Sequence, residues 1–326
     1  MTVRKQDIAE YLGVSRATVS LALNNTPGST ISQETRSKIL RAAKELGYKD
    51  LNATPKIGFL LYNRTTDDPR YVPDLSTTEK AVRDVNYNFM FMAVSSLTEE
   101  LYNLQQFLSA KELKGVIVTG DIDEAITKVI VEADIPYVFF GGNARDNLHI
   151  VLPDHRKGGY EAAKHLIGLG HREIALLCGI LDLDVHRCFL EGYQQALEEN
   201  GIPFNKELVQ VSNQEDGYEM CGRMHFLNIN YSAAICSNTI IQFGALQRLR
   251  EMRVSVPQDK SLIGYGYTQL MQASIPQLST VYLDFSEKSR MVRRLLAVIN
   301  DPARPKEILY LDDMRLFEGG TCALHV

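Results

Sequence analysis

The chain is 326 residues long, 45% apolar and 23% charged, with a net charge of −5. That length holds one small and one large domain or a large two-lobed unit, and the composition is that of a globular chain, not a low-complexity one. No apolar run approaches the roughly 18–20 residues of a membrane span, and no signal-peptide pattern opens the sequence, so the expectation is a cytoplasmic protein with no membrane partner.

Five cysteines (Cys178, Cys188, Cys221, Cys236 and Cys322) are widely spaced, odd in number and form no Cys-x-x-Cys pair. This favours reduced thiols over disulfides or zinc. Charge is divided unevenly. Residues 1–56 hold nine Lys/Arg against five Asp/Glu (net +4), and the remaining 270 hold 26 against 35 (net −9). A small basic head on an acidic body suits a head that meets phosphates and a body that does not.

Three amphipathic segments fill the first 47 residues. The first spans Lys5 to Leu12 with Ile8, Ala9 and Leu12 inward, and Gly13 supplies a tight turn. Ser15 is positioned to cap the second helix. That helix turns Val19, Ala22 and Leu23 to one side, and Arg16, Ala17, Ser20, Leu21 and Asn24 to the other. A solvated face would be filled with Lys and Glu; this one suits contact with something polar and grooved. The third segment starts near Ser32, runs through Arg36, Ile39, Leu40, Ala43 and Leu46, and stops at Gly47. The pattern is that of a helix-turn-helix whose second helix enters the major groove. A helical hairpin packed on the body or on a partner protein is the other reading of the same periodicity.

From Ile57 onward, short apolar runs alternate with helical segments. KIGFLL, FMFMAV, GVIVTG and PYVFFGG are separated by helices over 77–86, 99–110 and 124–133. LHIVLPDH then leads to a helix over 156–169, EIALLCG and a helix over 188–200. LVQVS, AAICS, SLIGYG and LSTVYLD follow, with a last helix over 286–299. Such alternation predicts mostly parallel strands buried on both faces, in two sheets with a cleft between them.

Catalytic and metal readings find little support. GYGYTQ after SLI lacks the third glycine of a dinucleotide fingerprint. His165 and His171 do not share a face. Asp182-Leu-Asp184-Val-His186 has metal-like spacing on an extended segment but lacks a third or fourth ligand, so it reads as a solvated or cleft-lining loop. No nucleophile–base set is suggested by position, so neither an enzyme nor a cofactor is expected.

DIAEYLGVSRATVSLALNN followed by ISQETRSKILRAAKELGY closely resembles the DNA-binding domain of the lactose-repressor (LacI/GalR) family over nearly all of residues 3–48. LPDHRKGGYEAAKHLIGLGHREIALL and SIPQLSTVYLDF resemble the ligand-binding core that this family shares with periplasmic sugar-binding proteins. That likeness covers most of 57–326 and is weakest over 62–110. The resemblance implies a small all-α helix-turn-helix domain on a two-lobed α/β periplasmic-binding-protein-like core of parallel sheets flanked by helices. The expected divisions are a DNA-binding domain over 1–47, a linker over 48–56 and an effector and dimerisation domain over 57–326. Lobe one takes about 57–152 and 283–306, and lobe two about 153–282 and 307–326.

The implied function is that of a transcriptional repressor binding a pseudo-palindromic double-stranded operator as a homodimer under control of a small molecule. A sugar or sugar derivative is the effector that the resemblance suggests. A ligand-binding module without regulated DNA binding, and a repressor whose effector is not a sugar, are the competing readings. Arg16 and Ala17 fall where the family reads base edges, and Ser15, Thr18, Ser20, Asn24, Ser32 and Thr35 where it holds phosphates. Arg4 joins them as a candidate contact. Leu21 stands where an arginine is frequent, and its apolar side chain suits a thymine methyl. The tail after the last strand carries no leucine heptads, which favours a dimer over a tetramer.

The effector positions depart from the family. Phe189 stands where an arginine grips sugar hydroxyls, with Arg187 nearby. Ser212 replaces a stacking aromatic, and Thr239 and Gly266 replace aspartates. The candidates that remain for the effector are Tyr62, Asp68, Tyr71, Arg187, Phe189, Asn238, Gln242 and Tyr265. The connector also departs. Eight residues, 49–56, take the place of a longer one with a hinge helix whose leucine wedges into the minor groove. Here Thr54-Pro55 follows Asn52-Ala53 at once, and Leu51 precedes the motif, which predicts an extended tether.

Overall fold

The computed structural model describes residues 3–23, 31–48 and 55–325. The head is three helices, α1 (Lys5–Leu12), α2 (Arg16–Leu23) and α3 (Gln33–Glu45). Ile8, Ala9, Val19, Ala22, Ile39, Ala43 and Tyr48 form its core. Gly13, at φ 65°, ends α1, and the Val14 amide turns back to the Ala9 carbonyl at 3.0 Å. Gly47 (φ 73°) does the same for α3 through Tyr48 N–H to Ala43 O at 2.9 Å. Both ends use the left-handed residue that glycine allows. Leu40 is 36% exposed, while Tyr48, beyond the end of α3, is buried in the core.

The first body lobe contains β1 (Lys56–Tyr62), α4 (Val72–Asp84), β2 (Asn88–Val94), α5 (Thr98–Ser109), β3 (Leu113–Gly120), α6 (Glu124–Glu132), β4 (Tyr137–Phe140) and β5 (Ile150–Pro153). The second contains α7 (His155–Gly168), β6 (Ile174–Cys178), α8 (Asp184–Glu199), β7 (Val209–Val211), α9 (Gly217–Phe226), β8 (Ala233–Cys236), α10 (Thr239–Glu251), β9 (Ser261–Tyr265), α11 (Gln269–Ala273) and β10 (Ser279–Leu283). Then α12 (Phe285–Asn300) and β11 (Ile308–Leu311) return to the first lobe, and β12 (Met314–Phe317) to the second.

The strand orders are β11-β5-β4-β3-β1-β2 and β12-β10-β9-β8-β6-β7. The pairs run parallel except β10 with β12. Each sheet is buried on both faces, which explains why its strands read as continuous apolar runs.

Several expectations are corrected. The boundary at 306 moves to 311, because β11 pairs with β5 and so completes the first sheet, and the linker over 48–56 narrows to 49–55, because Tyr48 packs in the head core and Lys56 opens β1. Helix α8 opens at Asp184, four residues before the expected start, so Asp184 and His186 lie on a helix and not on an extended segment. Helix α4 opens at Val72 instead of 77, with Pro73 in its first turn, where a missing amide costs nothing. The chain crosses between lobes at 153–155, 283–285 and 311–314. Asp154 N–H donates to Leu311 O at 2.8 Å and Asp284 N–H to Asp313 O at 2.9 Å, tying the crossings into one hinge. No helix of the described residues is long and apolar enough to cross a membrane.

Candidate DNA interface and effector cleft

On the head, the inward face of α2 is Val19 and Ala22, which leaves Arg16, Ala17 and Leu21 exposed. The Ser15 hydroxyl accepts the Thr18 amide at 3.0 Å and lies 2.8 Å from the Thr18 hydroxyl. Ser32 and Thr35 repeat this at α3, at 3.1 and 2.9 Å. Two helix N-termini thus carry paired hydroxyls together with amides that the helices leave unbonded, a setting that favours phosphate oxygens. Lys5 Nζ donates to Ser20 Oγ at 3.2 Å, which places a cation on the same surface. Sequence reasoning passed over Lys5 because it lies on α1. The Arg4 amide donates to Asp7 at 2.7 Å, and Arg4 is exposed. Asn24 lies outside the described residues, as do Leu51, Asn52, Ala53 and Thr54 of the connector.

In the body, Tyr62 ends β1 fully buried in the core of the first lobe, which corrects its placement on the effector surface; it donates its hydroxyl to Asp123 at 3.0 Å, and burial and then Asp123 push that phenol up to about 12. Burial likewise raises Tyr71 to about 12, against the pull of Arg64 and Arg70. Asp68 holds Arg70 through Nε at 3.0 Å and Nη2 at 2.7 Å. Burial opposes its charge, but the hydrogen bonds from Arg70 outweigh burial and lower the carboxyl.

Arg70 Nη1 then reaches across the lobes to Glu215 Oε2 at 2.5 Å, and His186 Nε2 donates to Glu215 Oε1 at 3.0 Å. Burial works to raise the Glu215 carboxyl. The His186 hydrogen bond and the Arg70 charge prevail and hold it near 2. A second link joins the lobes beside the first. Asp184 accepts the Ala144 amide at 2.8 Å and donates its own amide to Asn143 Oδ1 at 3.2 Å. Its other carboxylate oxygen pairs with Arg187.

The remaining candidates are structural to differing degrees. Phe189 is 1% exposed in the core of the second lobe, which corrects its placement on the effector surface. Its carbonyl approaches Gly159 so closely that a Cβ there would lie 2.1 Å away. Gln242 is likewise fully buried, its amide donating to Ser279 O at 2.8 Å, so it ties α10 to the sheet and does not reach a ligand. Asn238 Oδ1 caps α10, accepting from Ile240 at 3.0 Å and Ile241 at 2.9 Å. Tyr265 stacks edge-on against His155 and Phe189 over Gly158, and burial raises its phenol.

Sequence reasoning missed Arg70, Glu215 and His155, and considered His186 only as a metal ligand. Among the described residues no group of three or more His, Cys, Asp or Glu is placed to hold a metal ion. The Nδ1 atoms of His155 and His186 are buried with no hydrogen-bond partner among those residues.

Family models match the chain in two places, bacterial regulatory proteins of the lacI family over residues 6–50 and a periplasmic binding protein-like domain over 163–322. The chain is 28% identical to the HTH-type transcriptional repressor PurR of Haemophilus influenzae (strain PittEE) over 309 residues, 90% of this chain and 89% of that protein. It is 29% identical to the HTH-type transcriptional regulator DegA of Bacillus subtilis (strain 168), covering 84% and 85%.

The chain belongs to the LacI family of bacterial regulatory proteins. It is a DNA-binding transcriptional regulator. Two solved structures share the LacI-family fold. One is a complex of the transcriptional regulator CelR with cellobiose, with a TM-score of 0.73, 23% identity and coverage of 98% of this chain and 99% of that one. The other is the Lac repressor dimer bound to operator and the anti-inducer ONPF, with a TM-score of 0.70, 23% identity and coverage of 99% and 100%. The relatives are regulators and not enzymes.

Proposed function

We propose that this LacI-family regulator acts in the cytoplasm as a homodimeric repressor on a pseudo-palindromic operator, under the control of a small-molecule effector and with no catalytic role. Arg16 and Ala17 read base edges, Leu21 meets a thymine methyl, and Ser15, Thr18, Ser20, Asn24, Ser32 and Thr35 hold backbone, with Arg4 beside them. The observation that carries this is the exposed Arg16–Ala17–Leu21 face flanked by two hydroxyl-capped helix N-termini. A Lac repressor structure of the same fold is a dimer bound to operator, which supports the assembly. Selection from random duplexes tests it. Enrichment of two inverted half-sites is the expected result, and a single asymmetric half-site contradicts the dimer.

The effector occupies the cleft between the lobes, among Asp68, Tyr71, Arg187 and Tyr265. The cellobiose complex of CelR supports a sugar-related ligand on this fold. A second reading, an effector that is not a plain sugar, is favoured by the ionic chain through Arg70, Glu215 and His186. Thermal shift against sugars, sugar phosphates and nucleobases separates the two, because a ligand of the folded state raises apparent stability by mass action.

A further inference from the structure

The ionic chain across the cleft has the form of an occupied anion site. Arg70 is fixed before it meets Glu215, because Asp68 takes the edge carrying Nε and Nη2 and leaves Nη1 aimed at the other lobe. His186, with its side chain 3% exposed on α8, offers Nε2 from the second lobe. The Glu215 carboxylate sits between these two donors, one from each lobe, at 2.5 and 3.0 Å.

The backbone is bent to place it there. Glu215 has φ 53°, a left-handed conformation that a residue with a Cβ adopts rarely. A turn on Ser212 holds it, with the Glu215 amide donating to Ser212 O at 3.2 Å and the Asp216 amide to Ser212 Oγ at 3.3 Å. The Nδ1 atoms of His186 and of His155 are buried without a hydrogen-bond partner among the described residues. Arg64, paired with Asp121 at 2.5 Å, adds a cation whose charge also acts on Glu215.

We propose that Arg70 and His186 form an anion seat that Glu215 fills from within, locking the lobes together without effector, and that an effector bearing a carboxylate or phosphate takes the seat in its place. This rests on reading the cleft as the effector site. Opening the cleft breaks one ion pair whose two side chains are about one-fifth exposed, together with the Asp184 bonds to Ala144 and Asn143, while Asp68–Arg70 and Glu215–His186 each survive within one lobe. Rehydration of both groups offsets part of the Coulombic loss, so the closed state is favoured by a margin that a ligand binding one state better can overcome. A neutral polyol gains no charge-assisted bond by entering, whereas an anion replaces the one it displaces.

Chemical rescue tests the seat on the full chain by solution X-ray scattering, with circular dichroism to confirm folding. Wild type is expected to keep one radius of gyration with or without tens of millimolar acetate, at matched ionic strength. Glu215→Ala is expected to expand, and acetate or inorganic phosphate to return it to the wild-type value. Rescue by acetate alone assigns a carboxylate effector, and rescue by phosphate alone a phosphate one. Glu215→Gln keeps the side-chain volume, so it is expected to expand without rescue. In Glu215→Ala/Arg70→Met neither anion should act. A Glu215→Ala protein that scatters as wild type, or rescue that persists without Arg70, overturns the proposal. The scattering uses neither operator nor effector, so its failure leaves the reading of the cleft standing, and a failed effector screen leaves the seat standing.

Discussion

The Phe189 ring meets the Tyr265 ring edge-on, with centroids 5.4 Å apart and planes inclined at 63°. Phe189 lies in the core, at the position where the family resemblance implies a sugar-gripping arginine, and Tyr265 packs partly buried against it. Ser212 is committed to a turn, and the Thr239 hydroxyl is bonded to Thr268 at 3.0 Å. Polyols are held by bidentate polar groups and aromatic faces, and these positions supply neither. Common hexoses are therefore expected to show no binding in calorimetry beyond the millimolar range, roughly 4 kcal/mol. Micromolar affinity for any of them contradicts this account of the pocket.

Asn238 acts on α10 whether or not a ligand is present. Its Oδ1 serves two of the amides that a helix start leaves unbonded. Asn238→Ala should lower stability by about 1 kcal/mol in urea denaturation, and Asn238→Asp should restore most of it. Unchanged stability with a lost effector response would instead make Asn238 a ligand contact.

Acid should weaken the fold through its histidines. Burial, then His186, holds the His155 imidazole at about 4, against the pull of Asp184. Burial also lowers His149, His165 and His171. A histidine whose folded value lies below its unfolded 6.5 stays neutral in the fold while the unfolded chain gains protons. Stability is thus full above about pH 6.5 and falls as pH drops, with the His155 share complete near its folded value of about 4. Urea midpoints should be lower near pH 5 than near pH 7.5, and His155→Gln should narrow the gap by roughly 1–2 kcal/mol. A gap that His155→Gln leaves unchanged removes His155 from the explanation.

The connector yields a prediction about DNA shape. Thr54 precedes Pro55, which disfavours a helix, and Leu51 precedes the Asn52-Ala53 pair. Because β1 opens at Lys56, the tether is the seven residues 49–55, which fully extended reach about 23–25 Å, so half-site spacing should be tightly restricted. Circular-permutation assays on operators with varied central spacers should show no sharp central kink. A kink that disappears in Leu51→Ala restores a leucine wedge in the minor groove.

How much was legible follows from what each feature depends on. The head could be read because its helices are bounded locally, by Ser15 and Ser32 at their starts and by Gly13 and Gly47 at their ends. The strands could be read because both faces of each sheet are buried. Strand β11 was missed because ILYL is four residues long and its place depends on pairing with β5, more than 150 residues earlier. Helices α9, α10 and α11 went unmarked between strands. The start of α8 was missed because Leu183, its capping residue, bonds no amide with its side chain, so nothing local marks it. The ionic chain was not readable at all. Arg70 and Glu215 are 145 residues apart and meet only because two lobes close on each other.

The central claim is that the exposed face of α2 reads sequence through Arg16. Binding selection on random duplexes, run in parallel with wild type, Arg16→Ala and Ser20→Ala, tests it most directly. Arg16→Ala should lose about 1–3 kcal/mol on the preferred site and relax preference at one position of each half-site, whereas Ser20→Ala should weaken all sequences alike. An Arg16→Ala protein that selects the same motif as wild type, with preference intact at every position, contradicts it.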